Sequence, residues 1–98
     1  MPSGDIPASV REEVHARDEH FCRCCGRYVE HPQLHHITYR SQGGRHELGN
    51  LISLCFSCHA KKAHGPENRT WQELFAQVID MPGVTAAALA RWQGKTLR

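Results

Sequence analysis

Ninety-eight residues, 40% of them apolar, with a formal charge of +2, suffice for one small domain with a thin core. Such a chain buries only about 60 to 65% of its unfolded surface, so extra staples are expected. No stretch approaches the roughly 20 apolar residues of a membrane span, and the start, M-P-S-G-D-I-P-A, has no apolar run of a signal peptide, so a cytoplasmic location without a membrane partner is expected.

Residues 1 to 7, with Pro2, Gly4 and Pro7, read as a loose tail. Ser9 and Glu12 have capping-box spacing and predict a helix that closes at Arg17 and Asp18. Val10 and Val14 stand one turn apart on its core side. The chain holds five cysteines. In a reducing compartment they read as metal ligands before disulfides, and their odd number argues against complete pairing. Cys22 and Cys25 are separated by two residues, which lets both sulfurs reach one tetrahedral zinc at ~2.3 Å. Gly26 permits the tight turn. Cys55 and Cys58 repeat the spacing, so the two pairs predict a four-cysteine structural zinc site. The separation between the pairs exceeds the usual, about 15 to 20 residues, so the excursion has a purpose of its own. Cys24 is left over as a spare thiol.

His31-Pro32 turns the chain. Gln33 to Tyr39 alternates as a strand, with Leu34, His36 and Thr38 on one side and His35, Ile37 and Tyr39 on the other. Adjacent histidines on a strand point to opposite faces. One can ligate a metal while the other stays free as a base, since an imidazole pKa of ~6.5 suits that task. Two solvent-exposed histidines are the plainer alternative. Gly43-Gly44 allows positive backbone angles or close approach to a phosphate backbone. Asn50 can hydrogen-bond loop backbone where the chain re-enters a strand, Leu51 to Leu54. Ser57 to Ala63 predicts a short helix with Ser57 as its cap and His59 in the first turn. His64, five residues later, falls well round such a helix from His59. Arg40, Arg45, Lys61 and Lys62 flank this stretch as a local basic footprint for nucleic acid, with a solvated face as the alternative. Together these pieces can hold one divalent metal beside one free imidazole, the minimum for metal-assisted hydrolysis of a phosphodiester.

In the last third, Thr70 and Glu73 mark a helix with a stripe of Trp71, Leu74, Phe75 and Val78. Pro82-Gly83 breaks it. Thr85 caps another helix carrying Leu89 and Trp92, which Gly94 ends. Packing against the hairpin is the expected role. Contact of Trp71 or Trp92 with DNA or a partner is the alternative, and Lys95 and Arg98 leave a basic end.

The region from Cys22 to His64 resembles the HNH endonuclease family, built on a ββα-metal hairpin. The matching elements are Cys22 to Gly26, His35-His36, Gly43-Gly44, Asn50-Leu51 and Leu54 to His59. The resemblance implies an α+β fold: a small ββα-metal unit with structural zinc, an N-terminal helix and added C-terminal helices. The implied organisation is a single nuclease domain over 1–98, with the metal core at about 33–64, the knuckle within 22–58 and the helical segment at 68–94.

It also implies roles. His36 would be the general base, and Asn50 the Asn that orients the loop. His35, in place of the commoner Asp, and His59 would ligate the catalytic metal. Some members carry a further His four residues after the final one; here that position is Ala63, and His64, one step late, is the candidate third ligand. Cys22, Cys25, Cys55 and Cys58 would be the structural zinc knuckle. DNA is the implied partner, cut to 5′-phosphate and 3′-hydroxyl ends. One base and one metal imply nicking of one strand with low sequence specificity by a monomer or weak dimer, with phage or restriction proteins as further partners. Imidazole ligands imply Mn²⁺ above Mg²⁺. Two other readings stand beside it: a zinc-knuckle nucleic-acid-binding module without chemistry, and a redox or zinc-sensing switch using Cys24.

Overall fold

A computed structural model describes residues 6–98; of the tail expected over residues 1 to 7, residues 1–5 lie outside the described residues. The architecture is α+β. Helix α1 (Ala8–Asp18) precedes a hairpin of β1 (Gln33–His36) and β2 (Leu51–Leu54). A short helix α2 (Phe56–Cys58) runs into a π turn (His59–Ala63), followed by α3 (Asn68–Val78) and α4 (Ala86–Trp92). The strands pair antiparallel, with Gln33 opposite Leu54 and His36 opposite Leu51.

Helix α1 starts one residue before the predicted cap. Pro7 is the N-cap, at φ −56°, and no side-chain cap bond forms. Its carbonyl accepts from Arg11 N–H at 3.0 Å. The proline ring holds φ near the helical value, so the first turn closes on Pro7 and Ser9 lies inside the helix. At the other end, the buried Asp18 gathers a network that no spacing announces. Its carboxylate accepts from Arg17 (2.8 Å), Arg23 (2.9 Å) and Ser53 N–H (3.0 Å). Arg23 also donates to the carbonyls of Val78, Met81 and Val84. One buried ion pair thus ties α1 to β2 and to the connection after α3. Burial pushes the Asp18 carboxyl up, but hydrogen bonds and charge from Arg17 and Arg23 outweigh it and hold the pKa below the usual value.

Strand β1 ends at His36 rather than Tyr39. Ile37 N–H still reaches Asn50 C=O at 2.8 Å. Beyond it, the N–H of Thr38 donates to Asn50 Oδ1 (2.7 Å) and its C=O accepts from Asn50 Nδ2 (3.2 Å). A side-chain amide clamp replaces the ladder. The loop then doubles back so closely that a Cβ on Gly44 would lie 1.8 Å from Thr38 O, so only glycine fits.

The segment predicted as one helix from Ser57 to Ala63 is built differently. Cys55, not Ser57, caps it, its sulfur accepting Cys58 N–H at 3.4 Å. The α turns last only through Cys58. His64 N–H then donates to His59 C=O at 3.2 Å, the i→i+5 bond of a π turn. Helix α3 begins at Asn68, so Thr70 sits in its first turn rather than at its cap. The chain enters it through Gly65, where an added Cβ would lie 1.9 Å from Lys61 O. Thr85 does cap α4, accepting from Ala88 N–H at 3.2 Å.

The core joins Trp71, Leu74, Phe75 and Val78 of α3 to Ile52 and Leu54 of β2 and to Leu89 and Ala90 of α4. Trp71 is core rather than a contact surface: its indole N–H donates to Arg98 C=O at 2.8 Å. Trp92, expected on the inner face with Leu89, is instead 80% exposed. The buried stripe of α4 is Ala86, Leu89 and Ala90, and at 3.6 residues per turn Trp92 falls roughly 120° away from it.

Candidate metal centre

The knuckle is assembled from the two segments that flank the hairpin, which brings them together. The ligand atoms of Cys22, Cys25, Cys55 and Cys58 all lie within 4.8 Å of one another, and none of these cysteines is in a disulfide. Zinc–sulfur bonds of about 2.3 Å in a tetrahedron separate sulfurs by about 3.8 Å; Cys25 Sγ and Cys55 Sγ are 3.9 Å apart. The four cysteines are therefore positioned to bind zinc. In the metal-free state the hydrogen bond with Cys58, together with burial, pushes the Cys22 thiol up to about 12. Cys24 is buried against the knuckle but stands outside the four-sulfur set.

A second cluster lies at the junction of hairpin and π turn. The ligand atoms of His35, His59 and His64 also lie within 4.8 Å of one another. Strand alternation turns His35 inward, where it is buried, with its ring 5.2 Å from both other imidazoles. His59 Nε2 and His64 Nε2 are 3.2 Å apart. The expectation that His64 falls well round from His59 is corrected here: it holds for an α-helix, whereas the π turn brings residues five apart onto one side. Burial pushes the His35 pKa down to about 4 against an upward pull from the Gln72 hydrogen bond, with smaller downward contributions from His59 and His64. Burial, with His64, also lowers His59. Neutral imidazoles are the form that ligates metal. Tetrahedral metal–nitrogen bonds of about 2.0 to 2.1 Å set nitrogens about 3.3 Å apart, so the donor set fits a divalent cation.

His36 follows His35 on β1 and faces the other way. Its Nε2 lies 2.9 Å from Nδ1 of His46. Asn50 closes the hairpin loop: besides clamping Thr38, its amide donates to Arg45 C=O at 3.0 Å. The strand thus delivers one imidazole to the cluster and one to the loop side.

The segment that carries both clusters can be compared with known families. Residues 22–65 match the profile of the HNH endonuclease family. Over this segment the chain is similar to that family. No curated protein matches the chain.

The matched segment takes in the knuckle, the hairpin and the π turn, while α1, α3 and α4 lie outside the match. Of the basic residues flanking it, Arg45 and Lys61 are exposed, and Arg45 pairs loosely with Glu47 at 4.0 Å. Lys62 leans over the ring of Trp71, 5.3 Å from its centre, and so faces the C-terminal segment. The side chain of Arg40 lies outside the described residues. Three neighbours of the HNH histidines escape the sequence reading: His46 against His36, Gln72 against His35 (2.9 Å), and Tyr39 stacked on His64 at 5.6 Å. Asn68 and Gln72 flank the apolar stripe of α3 at one-turn spacing, which is the one signal that a polar edge there faces something.

Proposed function

We propose that the protein is a metal-dependent DNA endonuclease. The carrying observation is the division between neighbours on β1: His35 turns into a cluster of three imidazoles, and His36 turns to the opposite face. In this reading His35, His59 and His64 hold one divalent metal. A cation bound there supplies Lewis acidity at the scissile phosphate and offsets charge on the departing 3′ oxygen. His36 takes the proton of the attacking water, as a general base close to neutrality can. Asn50 keeps the loop closed over β1 and thereby holds the direction of His36. Of the four basic residues expected to contact DNA, the exposed Arg45 and Lys61 supply contacts to the phosphate backbone, which position DNA without reading its sequence. One base and one metal serve one strand per encounter, so the product is a nick with low sequence preference and 5′-phosphate and 3′-hydroxyl ends. Three imidazole donors favour Mn²⁺ over the oxygen-seeking Mg²⁺, so Mn²⁺ is the proposed working metal and zinc the structural one.

The test is conversion of supercoiled plasmid by wild type and His36→Ala with Mn²⁺, Mg²⁺, Zn²⁺ or EDTA. Open circles from wild type with Mn²⁺, and none from the variant, support the reading. If both proteins only retard the plasmid, with every metal, the knuckle is a binding module and the catalytic roles fall.

A further inference from the structure

Helix α3 lies beyond the matched segment, yet its polar edge reaches the histidine cluster. Asn68 and Gln72 stand one turn apart and share a face. Gln72 Oε1 lies 2.9 Å from His35 Nε2. Asn68 Nδ2 donates to the Tyr39 hydroxyl at 3.1 Å, and that hydroxyl donates to Ala63 C=O at 2.8 Å. The Tyr39 ring stacks on His64, 5.6 Å between centres and 14° between planes. Two of the three clustered histidines are therefore held from α3, one directly and one through a tyrosine.

We propose that Gln72 is a positioning residue for the metal site: its side-chain carbonyl accepts the Nε2 proton of His35, fixes the ring's angle and tautomer, and leaves Nδ1 as the nitrogen whose lone pair serves a divalent cation. This rests on the metal site proposed above and adds a residue from outside the HNH segment. The reason is the arithmetic of one proton. A neutral imidazole carries a single N–H, and the nitrogen that keeps it cannot ligate. A group that accepts from one nitrogen therefore selects the other for the metal, and such outer partners also fix the ring's direction.

The alternative orientation of the amide can be weighed. As placed, Gln72 Nε2 is buried without a hydrogen-bond partner among the described residues. Reversing the amide would strand the carbonyl instead, so the count of unmet atoms does not improve. The reversal would also present N–H groups to His35 Nε2, forcing the ring proton onto Nδ1. Both ring nitrogens would then be engaged, and His35 would have no lone pair to give. Only the orientation with the carbonyl at His35 is compatible with ligation.

The test needs no DNA. The protein is prepared with its knuckle loaded with zinc and no other metal. Long-range nitrogen–proton NMR of the His35 ring then reports which nitrogen carries the proton. The expected result is a slowly exchanging Nε2–H in wild type and in Gln72→Glu, and loss of that slow exchange in Gln72→Leu. Titration with Mn²⁺ and Ni²⁺ should show affinity lowered about 10 to 100-fold in Q72L and kept at or above wild type in Q72E. A merely structural role would lower the melting temperature of Q72L and leave the affinity of the folded protein unchanged. A wild-type His35 protonated at Nδ1, wild-type affinity in Q72L, or a wild type that takes up only the knuckle zinc would each overturn the proposal. If Q72L does not fold, the wild-type tautomer decides. A protein that binds Mn²⁺ through His35 without cutting DNA would sink the nuclease reading and leave this one standing.

Discussion

His64 Nε2 lies 3.2 Å from His59 Nε2 although five residues separate them, because the backbone between them closes an i→i+5 bond. In an α-helix the two would diverge by roughly 140°. The insertion of one extra residue into a turn is therefore what makes a three-imidazole cluster geometrically available.

A first prediction follows from that turn. His64→Ala should weaken the second, exchangeable metal at least as much as loss of an outer partner does, about 10 to 100-fold, measured by Ni²⁺ titration. The double variant Ala63→His with His64→Ala restores α-helical spacing in sequence, but position 63 is fully buried, so it should not recover binding. Recovery would mean the segment is α-helical in solution.

The knuckle should separate its cysteines by role. Cys25→Ser removes an exposed sulfur ligand without opening the core, so metal analysis should find less than one zinc per chain, together with a lower melting temperature. Cys24→Ser should retain one zinc per chain, with a cost of order 1 kcal/mol for a polar group at a buried position. Full zinc loss in C24S would place Cys24 among the ligands.

Acid should act through Asp18. Its carboxyl pKa is depressed in the folded state. The stabilisation it supplies is therefore complete above the unfolded value of about 3.9 and is lost as pH falls through the lower folded value. Asp18→Asn leaves Arg23 buried without its anion and should cost about 3 to 5 kcal/mol near neutrality. The gap in melting temperature between wild type and D18N should narrow below about pH 4. A constant gap down to pH 2 would show that the carboxylate is not the source.

Asn50 carries three hydrogen bonds that replace strand pairing beyond His36. Asn50→Ala should cost about 2 kcal/mol, raise amide exchange at Thr38, and reduce plasmid nicking more than it reduces DNA binding. Unchanged exchange at Thr38 would argue that the loop is held elsewhere.

Some of this is legible residue by residue. The C-x-x-C pairs announce a zinc knuckle because sulfur spacing is a local property of a tight turn. Leu51–Leu54 is a strand in both readings, because four buried residues before a cysteine cap leave no helical stripe. The alternation that sends His35 and His36 to opposite faces is likewise local. The cap at Ser9 and the full strand to Tyr39 are not, since a neighbouring proline and a distant amide compete for the same backbone groups.

What the sequence by itself determined is the class of the molecule: an α+β unit with an HNH-like segment and four cysteines placed for zinc, because ligand type and short-range spacing depend on bond lengths and on the period of a turn. Only the tertiary structure decided which side chains meet. Gln72 at His35 joins residues 37 apart, and the π turn at His64, the buried Asp18–Arg23 pair and His46 at His36, though closer in sequence, are fixed by what packs around them. Their contacts follow from how the helices and hairpin close on a shared core, and a reading confined to neighbours along the chain does not reach them.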